Sequence, residues 1–598
     1  MPESLRALGL MVLISWRADA VRSIWAVITG ALQMTALPLR AIGVRLLTDG
    51  IVDGNVALAT EGVLVVVGLT GASRLMAWAS LNVRMRLREN TQLYLDGYLM
   101  QLTAGIPGIE HHERPDYLDR VELIRNERWY LANPFNPISW SLASVFQVLS
   151  VFILLAGVHP LLLLVPVAAI PSVVTTFRSQ RAATRLREAQ VETNRLQRHL
   201  GELATEPAAA KEIRIFGLGD ILFQRRQVLF EQLERERLGL AIRTTTATLA
   251  GWLAFGVAFV AAAGFTASLA ERGEASVGTL MLVLGLAAQV NFQLADLVSN
   301  VNWLIRTQNA VLKLLWLRDY ALEASRSVER RGRSAPVPEK LADGIRLSGV
   351  SFCYPGTEQL VLERVDLYLP AGATVAIVGE NGAGKTTLVK LLSRFYEPTA
   401  GTIGVDGIDL REFDISEWRA RLAAGFQDFG RLQLLARESV GVGETSSMHR
   451  DEAIFEALER AAASDLRHAL PLALDTQLGR EFADGVDLSI GQWQKVALGR
   501  AMMRQRILLL MLDEPTASLD APTEHALFEH FAGAAREYAA RAGAITLLVS
   551  HRFSTVRMAD LILVVDRGRV VQFGSHTELM ARGGLYAELY NLQASAYR

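Results

Sequence analysis

The sequence of 598 residues contains one cysteine, Cys353, and only six lysines. A single cysteine excludes an intrachain disulfide and a cysteine-based metal cluster. The net charge of −1 leaves no overall basic field, so the composition does not suggest nucleic acid as a main partner. Arginine supplies nearly all of the positive charge, which we interpret as coding bias.

Apolar residues, by contrast, are abundant. They make up 51% of the chain, and the mean hydropathy is +0.23 although 21% of the residues are charged. These values are typical of a chain that is partly embedded in a membrane and partly water-soluble. A length of 598 residues also exceeds what one hydrophobic core organises, so two or more domains are expected.

The first half of the chain contains six long apolar segments with few charges. Each is close to the length that crosses a bilayer as a helix. A cleavable signal peptide is disfavoured at the N-terminus, because Arg17, Asp19 and Arg22 interrupt the first apolar stretch and no small-residue cleavage site follows it. Residues 3–20 are instead typical of an amphipathic helix on the membrane surface. The predicted spans are 23–47, 57–80, 137–158, 160–177, 245–270 and 277–300.

Loop charges predict the orientation of these spans. The long segments 81–136 and 178–243 are rich in arginine, whereas the turn at 48–56 contains Asp49 and Asp53 but no cation. The positive-inside rule therefore predicts that both termini, both long segments and the second half of the chain are cytoplasmic. We expect a multi-pass protein of a bacterial-like inner or plasma membrane, with spanning helices that continue into the cytoplasm.

The second half of the chain has a different organisation. Residues 324–344 are polar, contain Pro336 and Pro338 and lack periodicity, as in a linker. From residue 345 onward strands and helices alternate, which is the pattern of an α/β domain. We therefore predict an all-α six-span domain over 1–323, a linker over 324–344 and an α/β domain over 345–598.

The chemistry of the second domain is clearest after an apolar strand predicted over 373–378. The strand precedes Gly379-Glu380-Asn381-Gly382-Ala383-Gly384-Lys385-Thr386-Thr387, and a helix is predicted to follow. This order matches a phosphate-binding loop, whose glycines let backbone N–H groups approach phosphate at a helix N-terminus. Lys385 would reach the β- and γ-phosphates, and Thr386 would bind Mg²⁺. The sequence predicts that the chain binds a nucleoside triphosphate.

Two carboxylates follow another apolar run, 507–512. An aspartate such as Asp513, at the carboxyl end of a strand beside a phosphate loop, suits Mg²⁺ coordination. The next residue, Glu514, suits the activation of water. Without the phosphate loop, the same pair would be a solvated strand end.

Together with Leu488-Ser489-Ile490-Gly491-Gln492, these motifs occur in the order found in ATP-binding cassette (ABC) transporters. The chain resembles a half-transporter, in which one membrane domain is followed by one P-loop ATPase domain. The resemblance implies ATP hydrolysis with ATP and Mg²⁺ as cofactors, and it matches Ser518-Leu519-Asp520 to the D-loop. The catalytic residues implied are Glu514, His551 and Lys385; the Mg²⁺ ligands implied are Thr386, Gln427 and Asp513; and the ATP contacts implied are Tyr354, Gly379, Glu380, Asn381, Gly382, Ala383, Gly384, Lys385, Thr386, Thr387, Gln427, Ser489, Gly491 and Gln492.

The chain departs from the family pattern at Ile490, where the signature motif normally has glycine. A β-branched residue does not easily adopt positive φ, so we expect an ordinary backbone conformation at this position. Ser489 and Gly491 are retained. We therefore expect the substitution to affect the rate of hydrolysis rather than ATP binding.

Two cytoplasmic stretches, 108–117 and 210–217, resemble the coupling helices of the family. An alternative for the first stretch is a metal cluster, but the near-contiguous spacing of its histidines and glutamates favours a polar contact loop. The residues concerned are Glu110, His111, His112 and Glu113.

Polar residues also recur on one face of the first and sixth predicted spans. Such a stripe either lines a cavity or hydrogen-bonds to a neighbouring helix, and the sequence leaves both open. A polar cavity with aromatic neighbours would suit an amphipathic cargo such as a peptide, a drug-like molecule or a lipid. The candidates are Thr29, Gln33 and Arg40 in the first span and Gln289, Gln293, Asp296 and Asn300 in the sixth.

The resemblance implies that each ATP site combines the phosphate loop of one domain with the signature motif of another. We therefore expect a dimer, with a homodimer favoured over a heterodimer with a sister chain. The predicted function is ATP-driven export by alternating access. Alternatives on the same fold are a lipid flippase and a siderophore-type importer. A third, an ATP-gated regulatory or channel protein that does not pump, is disfavoured because it has little need of Glu514 as a water-activating group.

Overall fold

The computed structural model describes residues 3–133, 135–329, 335–515, 521–550 and 552–596. The chain forms two compact units: Met1–Gln101 with Arg120–Arg318, here called the helical unit, and Leu102–Asp119 with Asp319–Arg598, here called the sheet unit. The side chains of residues 3–5, 31–38, 327–329, 521–526, 553–554 and 593–596 are outside this description.

Helices make up most of the described chain up to Glu329, as the long apolar and amphipathic segments predict. A short 3₁₀ turn, Pro160–Leu163, follows the sixth of them. The helices are α1 (Glu3–Val52), α2 (Val56–Ala104), α3 (Glu110–Glu113), α4 (Pro115–Asn126), α5 (Arg128–Ala132), α6 (Asn136–Val158), α7 (Leu164–Ala168), α8 (Ile170–Ala189), α9 (Val191–Thr205), α10 (Ala210–Ile215), α11 (Gly219–Glu271) and α12 (Val277–Glu329).

Asp19 divides α1 at the end of the predicted surface helix. Its backbone is extended, with φ −165° and ψ 94°, inside an otherwise helical run. The Asp19 carboxylate accepts a hydrogen bond from the backbone N–H of Arg22 at 2.9 Å, and the Ser23 hydroxyl donates to the Asp19 carbonyl at 2.8 Å. Aspartate commonly caps the start of a helix in this way. Residues 3–18 and the first predicted span are therefore separate helical segments.

Among the described residues, five helical stretches are long and apolar enough to cross a membrane: α2, α6, Pro160–Ala189, α11 and α12. They contain five of the six predicted spans, and the first predicted span lies within α1. The helices α2, α11 and α12 have 49, 53 and 53 residues. At 1.5 Å per residue they are about 75–80 Å long, against about 30 Å for a hydrocarbon core. Each is therefore much longer than a membrane span.

Glycines bring helices of the helical unit into backbone contact. A Cβ atom on Gly62 would lie 2.3 Å from the backbone nitrogen of Leu47. A Cβ atom on Gly251 would lie 2.8 Å from the Cα atom of Ser172. Small residues at such crossings are typical of helices that pack within a membrane. Any larger side chain at either position would push two helices apart.

The sheet unit contains strands β1 to β10 and helices α13 to α22. The strands are β1 (Gly344–Cys353), β2 (Leu360–Pro370), β3 (Thr374–Val378), β4 (Ala400–Val405), β5 (Ile408–Asp409), β6 (Leu422–Gly425), β7 (Leu509–Asp513), β8 (Ile545–Val549), β9 (Leu561–Asp566) and β10 (Arg569–Gly574). The helices are α13 (Lys385–Leu392), α14 (Ile415–Ala420), α15 (Ala436–Gly441), α16 (Asp451–Arg460), α17 (Leu466–Ala469), α18 (Ile490–Met502), α19 (Ala521–Ala542), α20 (Phe553–Val556), α21 (His576–Arg582) and α22 (Leu585–Ala596).

These strands form two sheets. The smaller sheet is antiparallel, in the order β2-β1-β4-β5, and the larger has the order β10-β9-β3-β8-β7-β6. In the larger sheet β3, β6, β7, β8 and β9 are parallel, and their apolar runs are buried as expected for a sheet covered on both faces. Parallel strands end at one edge, so the carboxyl ends of β3 and β7 bring the phosphate loop and Asp513 together.

The linker predicted over 324–344 is partly helical. Helix α12 continues to Glu329, and β1 begins at Gly344. Residues 324–329 contain no proline or glycine, so nothing in their sequence interrupts the helix. Residues 330–334 are outside the described part of the chain.

Candidate ATP-binding site

The phosphate loop lies between β3 and α13, as predicted. Gly384 has a φ of +105°, and a Cβ atom there would lie 2.7 Å from Leu362 Cδ2. At Gly379 a Cβ atom would lie 2.1 Å from the carbonyl oxygen of Val565. Neither position has room for a side chain, so both glycines are required for the shape of the loop. The loop leads directly into the N-terminus of α13, where anions are favoured.

Lys385, Thr386 and Asp513 form the polar centre of this loop. The ammonium group of Lys385 donates to the carbonyl oxygens of Gly379 and Glu380 at 2.8 and 2.9 Å. The Thr386 hydroxyl donates to Asp513 Oδ2 at 2.9 Å. Asp513 Oδ1 is buried and has no hydrogen-bond partner in the described part of the chain. Hydroxyl and carboxylate oxygens are the ligands that Mg²⁺ prefers, so these residues fit the predicted metal.

Burial perturbs the titration of both charged residues. It lowers the pKa of the Lys385 ammonium group, although Glu514 and Asp513 oppose the effect. It raises the pKa of the Asp513 carboxyl, although the hydrogen bond from Thr386 opposes the effect. A nearby group of opposite charge would favour the charged form of each. An anion beside Lys385 and a cation beside Asp513 would therefore both stabilise this site.

Glu514 is held rigidly next to Asp513. Its φ is +48°, an uncommon value for a residue other than glycine, and its backbone N–H donates to Val549 at 3.0 Å. Its carboxylate accepts a hydrogen bond from Gln427 Nε2 at 2.9 Å. Strained backbone of this kind persists where surrounding contacts fix it, often at functional sites. The structure thus places the predicted metal ligand Gln427 against the predicted base.

Lys385, Thr386, Gln427 and Glu514 line a cavity of about 690 Å³. Tyr354, the predicted adenine contact, lines it, and its hydroxyl lies 3.1 Å from the Thr387 hydroxyl. The Tyr354 ring meets Phe352 and Tyr396 edge to face, with centroids 5.0 and 5.4 Å apart. The predicted residues that line the cavity are Tyr354, Asn381, Gly382, Gly384, Lys385, Thr386, Thr387, Gln427 and Glu514.

The signature motif lies at the start of α18. Ser489 is the N-cap, and its hydroxyl and the Gln492 side chain accept reciprocally from each other's backbone N–H groups. Ile490 is the first helical residue, is 56% exposed and has no positive φ. The backbone expected at this position is therefore observed. Ser489, Gly491 and Gln492, all within the described chain, do not line the cavity around Lys385.

Comparison with known proteins identifies the family. A family model described as ABC transporter matches residues 362–517. The subtilin transport ATP-binding protein SpaT of Bacillus subtilis is 26% identical over 580 residues, which cover 94% of this chain and 90% of that protein. Residues 362–517 are an ABC transporter domain, and nearly the whole chain is similar to a bacterial transport ATP-binding protein.

Further relatives agree with this assignment. The nisin transport ATP-binding protein NisT of Lactococcus lactis is 27% identical over 499 residues, which cover 82% of this chain and 80% of that protein. An ATP-dependent lipid A-core flippase of Burkholderia orbicola is 37% identical, but over 44% of this chain and 42% of its own. A solved bacterial Atm1-family ABC exporter with ATP bound matches 97% of this chain and 98% of its own, with a TM-score of 0.73 and 24% identity, and so shares the fold.

These findings confirm the predicted fold class and half-transporter arrangement. They also confirm ATP-driven transport by an ABC-type ATPase. The individual site residues stay predictions. Two of them, His551 and the D-loop residue Asp520, lie outside the described residues.

The polar residues predicted on one face of the sixth span have different surroundings in the structure. Asn300 donates to Ser144 on α6 at 2.7 Å, which is the helix-to-helix contact left open above. Gln293 is 6% exposed, and neither atom of its amide has a hydrogen-bond partner in the described chain. Gln289 is half-buried, and Asp296 is exposed. In the first span Arg40 is half-buried, and the Gln33 side chain is outside the description.

Several contacts in the structure were not predicted from the sequence. Ser172 donates to the buried side chain of Asn291 between α8 and α12. Gln494 lies beside the predicted base, 3.5 Å from the Glu514 carbonyl oxygen. Lys390 and Tyr396 bind Glu113. Spacing along the chain gives no signal for the last contact, because its partners are separated by 277 and 283 residues.

Proposed function

We propose that the chain works as a homodimeric exporter of a bacterial-type inner membrane, with both termini and the ATPase domain in the cytoplasm. The arginine-rich segments 81–136 and 178–243 support this orientation through the positive-inside rule. We also propose the domain division 1–323, 324–344 and 345–598. The observation that carries the proposal is the phosphate loop with Thr386 bonded to Asp513 and the second Asp513 oxygen unpaired in the described chain.

The first step is binding of ATP in the loop 379–387. Lys385 exchanges its two carbonyl acceptors for phosphate oxygens, and backbone N–H groups at the start of α13 bind the others. Thr386, Asp513 and Gln427 would hold Mg²⁺, which when bound offsets charge on the phosphates. The burial of Asp513 and Lys385 makes their charged forms depend on these ligands.

The second step is hydrolysis by residues of both subunits. Glu514 accepts a proton from the attacking water, and we assign His551 to assist it. Ser489 and Gly491 of the signature motif lie outside the cavity lining of their own chain, which supports a role at the site of a second copy. ATP then holds two copies together because it binds the closed pair more tightly than the open one, and hydrolysis releases them.

For the cargo, we propose an amphipathic peptide. The relatives whose similarity extends over most of the chain, and so over the membrane helices, are named for subtilin and nisin transport. The lipid A-core flippases match about half of the chain or less and inform mainly on the ATPase domain. The buried, unpaired amide of Gln293 is our candidate for a polar contact with cargo, together with Gln289, Asp296, Gln33 and Arg40.

The test is ATP turnover and uptake in inverted vesicles or proteoliposomes that contain the purified chain. We expect a panel of amphipathic peptides to raise ATP turnover and to accumulate inside the vesicles with ATP. Glu514→Gln should abolish turnover and uptake while retaining ATP binding. Peptide uptake that persists in this variant would exclude ATP-driven export. Stimulation by lipids alone would favour flipping instead.

A further inference from the structure

A small cleft lies where the surface helix, residues 3–18, meets α2 and the start of α6. The end of the surface helix is fixed to α2, because Asn90 Nδ2 donates to the Asp19 carboxylate at 3.0 Å. The cleft has a volume of about 10 Å³, which is room for one water-sized atom. Its polar lining consists of Ser15, Arg84, Arg88, Thr91, Asn133 and Asn136.

Two hydrogen-bonding groups of this lining are buried and unused. Ser15 is 1% exposed, and neither its hydroxyl nor Arg84 Nε has a hydrogen-bond partner in the described part of the chain. Thr91, on the same lining, is satisfied by contrast, because its hydroxyl donates to the Leu87 carbonyl at 2.7 Å. Buried polar groups in folded proteins nearly always have a partner, which is sometimes a water or an ion. Ser15 and Arg84 therefore call for a partner from outside the chain.

The cleft is positively charged. Arg84 and Arg88 line it, and none of the described residues around it is a carboxylate. Arg84 is half-buried and held between helices: its guanidinium carbon lies 4.9 Å from the centre of the Trp140 ring, and its Nη2 would lie 2.7 Å from a Cβ atom on Gly30. A guanidinium held in this way, without a counter-ion, suits the oxygen of a carboxylate or phosphate.

The cleft also lies at the depth of lipid headgroups. Arg84 and Arg88 follow the end of the predicted span 57–80 by four and eight residues. At 1.5 Å per residue they lie about 6 and 12 Å beyond it, and the polar region of each leaflet is about 5–8 Å thick. Two large apolar residues of the surface helix, Leu13 and Trp16, are 41% and 50% exposed. Exposed tryptophan is typical of the boundary between lipid and water.

We propose that this cleft binds one phosphate oxygen of an anionic phospholipid in the cytoplasmic leaflet. The oxygen takes the water-sized space and accepts hydrogen bonds from Arg84 and Ser15, while the exposed Arg88 contacts the rest of the phosphate. Free phosphate offers the same chemistry, but the exposed apolar residues of the surface helix favour a lipid. The inference goes beyond the proposed transport activity and uses only the proposed cytoplasmic position of residues 81–136.

The test is titration of the full-length chain, purified in a neutral detergent, with phosphatidylglycerol, followed by native mass spectrometry. We expect Arg84→Gln to weaken binding of the first lipid about tenfold, as for the loss of one hydrogen bond between charged groups. Arg86→Gln is the matched control, because Arg86 lies on the same helix, is exposed and does not line the cleft. We expect it to leave this binding unchanged. Equal losses in the two variants would indicate general attraction to a basic surface and would overturn the inference.

Ser15→Ala keeps the inference testable if Arg84→Gln folds poorly. Removing a buried hydroxyl that has no partner should not lower the melting temperature of the lipid-free protein. It should reduce the rise in melting temperature that phosphatidylglycerol produces, because a bound ligand stabilises in proportion to its affinity. A rise equal to that of the natural protein would overturn the assignment of this cleft.

Two further ligands identify the source of the phosphate. Phosphatidylcholine, whose choline offsets the phosphate charge, should bind more weakly than phosphatidylglycerol. Millimolar inorganic phosphate should leave the binding of phosphatidylglycerol unchanged. Equal binding of phosphatidylcholine would overturn the role of charge in the cleft. Displacement of the lipid by inorganic phosphate would assign the cleft to a soluble anion and overturn the lipid assignment.

Discussion

Acidification should weaken the packing of residues 102–119 in the sheet unit through a single histidine. His111 is 2% exposed, and neither of its ring nitrogens has a hydrogen-bond partner in the described chain. Its ring lies 4.1 Å from that of His112 and 5.0 Å from that of Tyr117. Burial, and then the neighbouring His112, lower the pKa of His111 to about 4 from an ordinary value of 6.5.

The sign and size of the effect follow from this difference. The packed segment binds fewer protons than the released one between pH 6.5 and about 4. The stabilisation is therefore complete above pH 6.5 and is lost progressively as the pH falls toward 4. The loss amounts to about 1.4 kcal/mol, or about tenfold in the packing equilibrium, at pH 5.5, and to about 3 kcal/mol at pH 4 and below.

Hydrogen exchange at the amides of residues 110–117 measures this equilibrium. The reference is His111→Phe, which keeps a ring beside Tyr117 but does not titrate. The intrinsic rate of amide exchange falls as the pH falls in both proteins, so protection factors are compared. Between pH 7.5 and 5.5 we expect the protection factor of the natural protein to fall about tenfold more than that of the variant. The same pH dependence in both proteins would refute the reasoning. The other charged groups around this segment are present in both proteins, so the difference between the two isolates His111. Those that line the adjoining cavity are Glu110, Arg114, Glu323, Arg394 and Glu397.

Three further perturbations have defined outcomes. Ile490→Gly should raise the ATPase rate at saturating ATP with little change in ATP affinity, because it restores the usual signature backbone; a lower rate would contradict this. Trp418→Ala should destabilise the sheet unit by about 3–5 kcal/mol, measured by thermal unfolding, because a buried side chain is removed and with it the Nε1 bond to Leu392. Asp49→Asn should speed amide exchange at the start of α12, because the Asp49 carboxylate accepts from Ser276 Oγ at 2.9 Å and Gly278 N at 2.7 Å. Unchanged exchange at residues 276–279 would show that this contact is dispensable.

Local patterns were sufficient for the phosphate loop and the long helices. The strand, loop and helix around Lys385 are adjacent in sequence. The backbone of the loop requires glycine at fixed positions, so the spacing of the glycines is enough to predict it. The same holds for Ile490, whose branched side chain alone restricts its backbone. The length of α2, α11 and α12 likewise follows from helical periodicity that continues past the apolar windows.

Contacts between distant segments were not accessible in the same way. Asn300 was predicted as part of a continuous polar stripe, but whether it faces a cavity or Ser144 depends on how α6 and α12 pack. The linker was predicted to begin at residue 324 because the whole segment is polar and contains proline. Its first residues are helical, because neither glycine nor proline occurs before Gly332. The motif around Gln427 implies a metal ligand, but in the structure the Gln427 side chain donates a hydrogen bond to Glu514.

The great length of α12 has a mechanical corollary. A helix of 53 residues acts as a lever of about 80 Å. If one end tilts by about five degrees, the other travels about 7 Å, more than one helical turn. A small change of angle at one end of α12 is therefore amplified along the length of the helix itself.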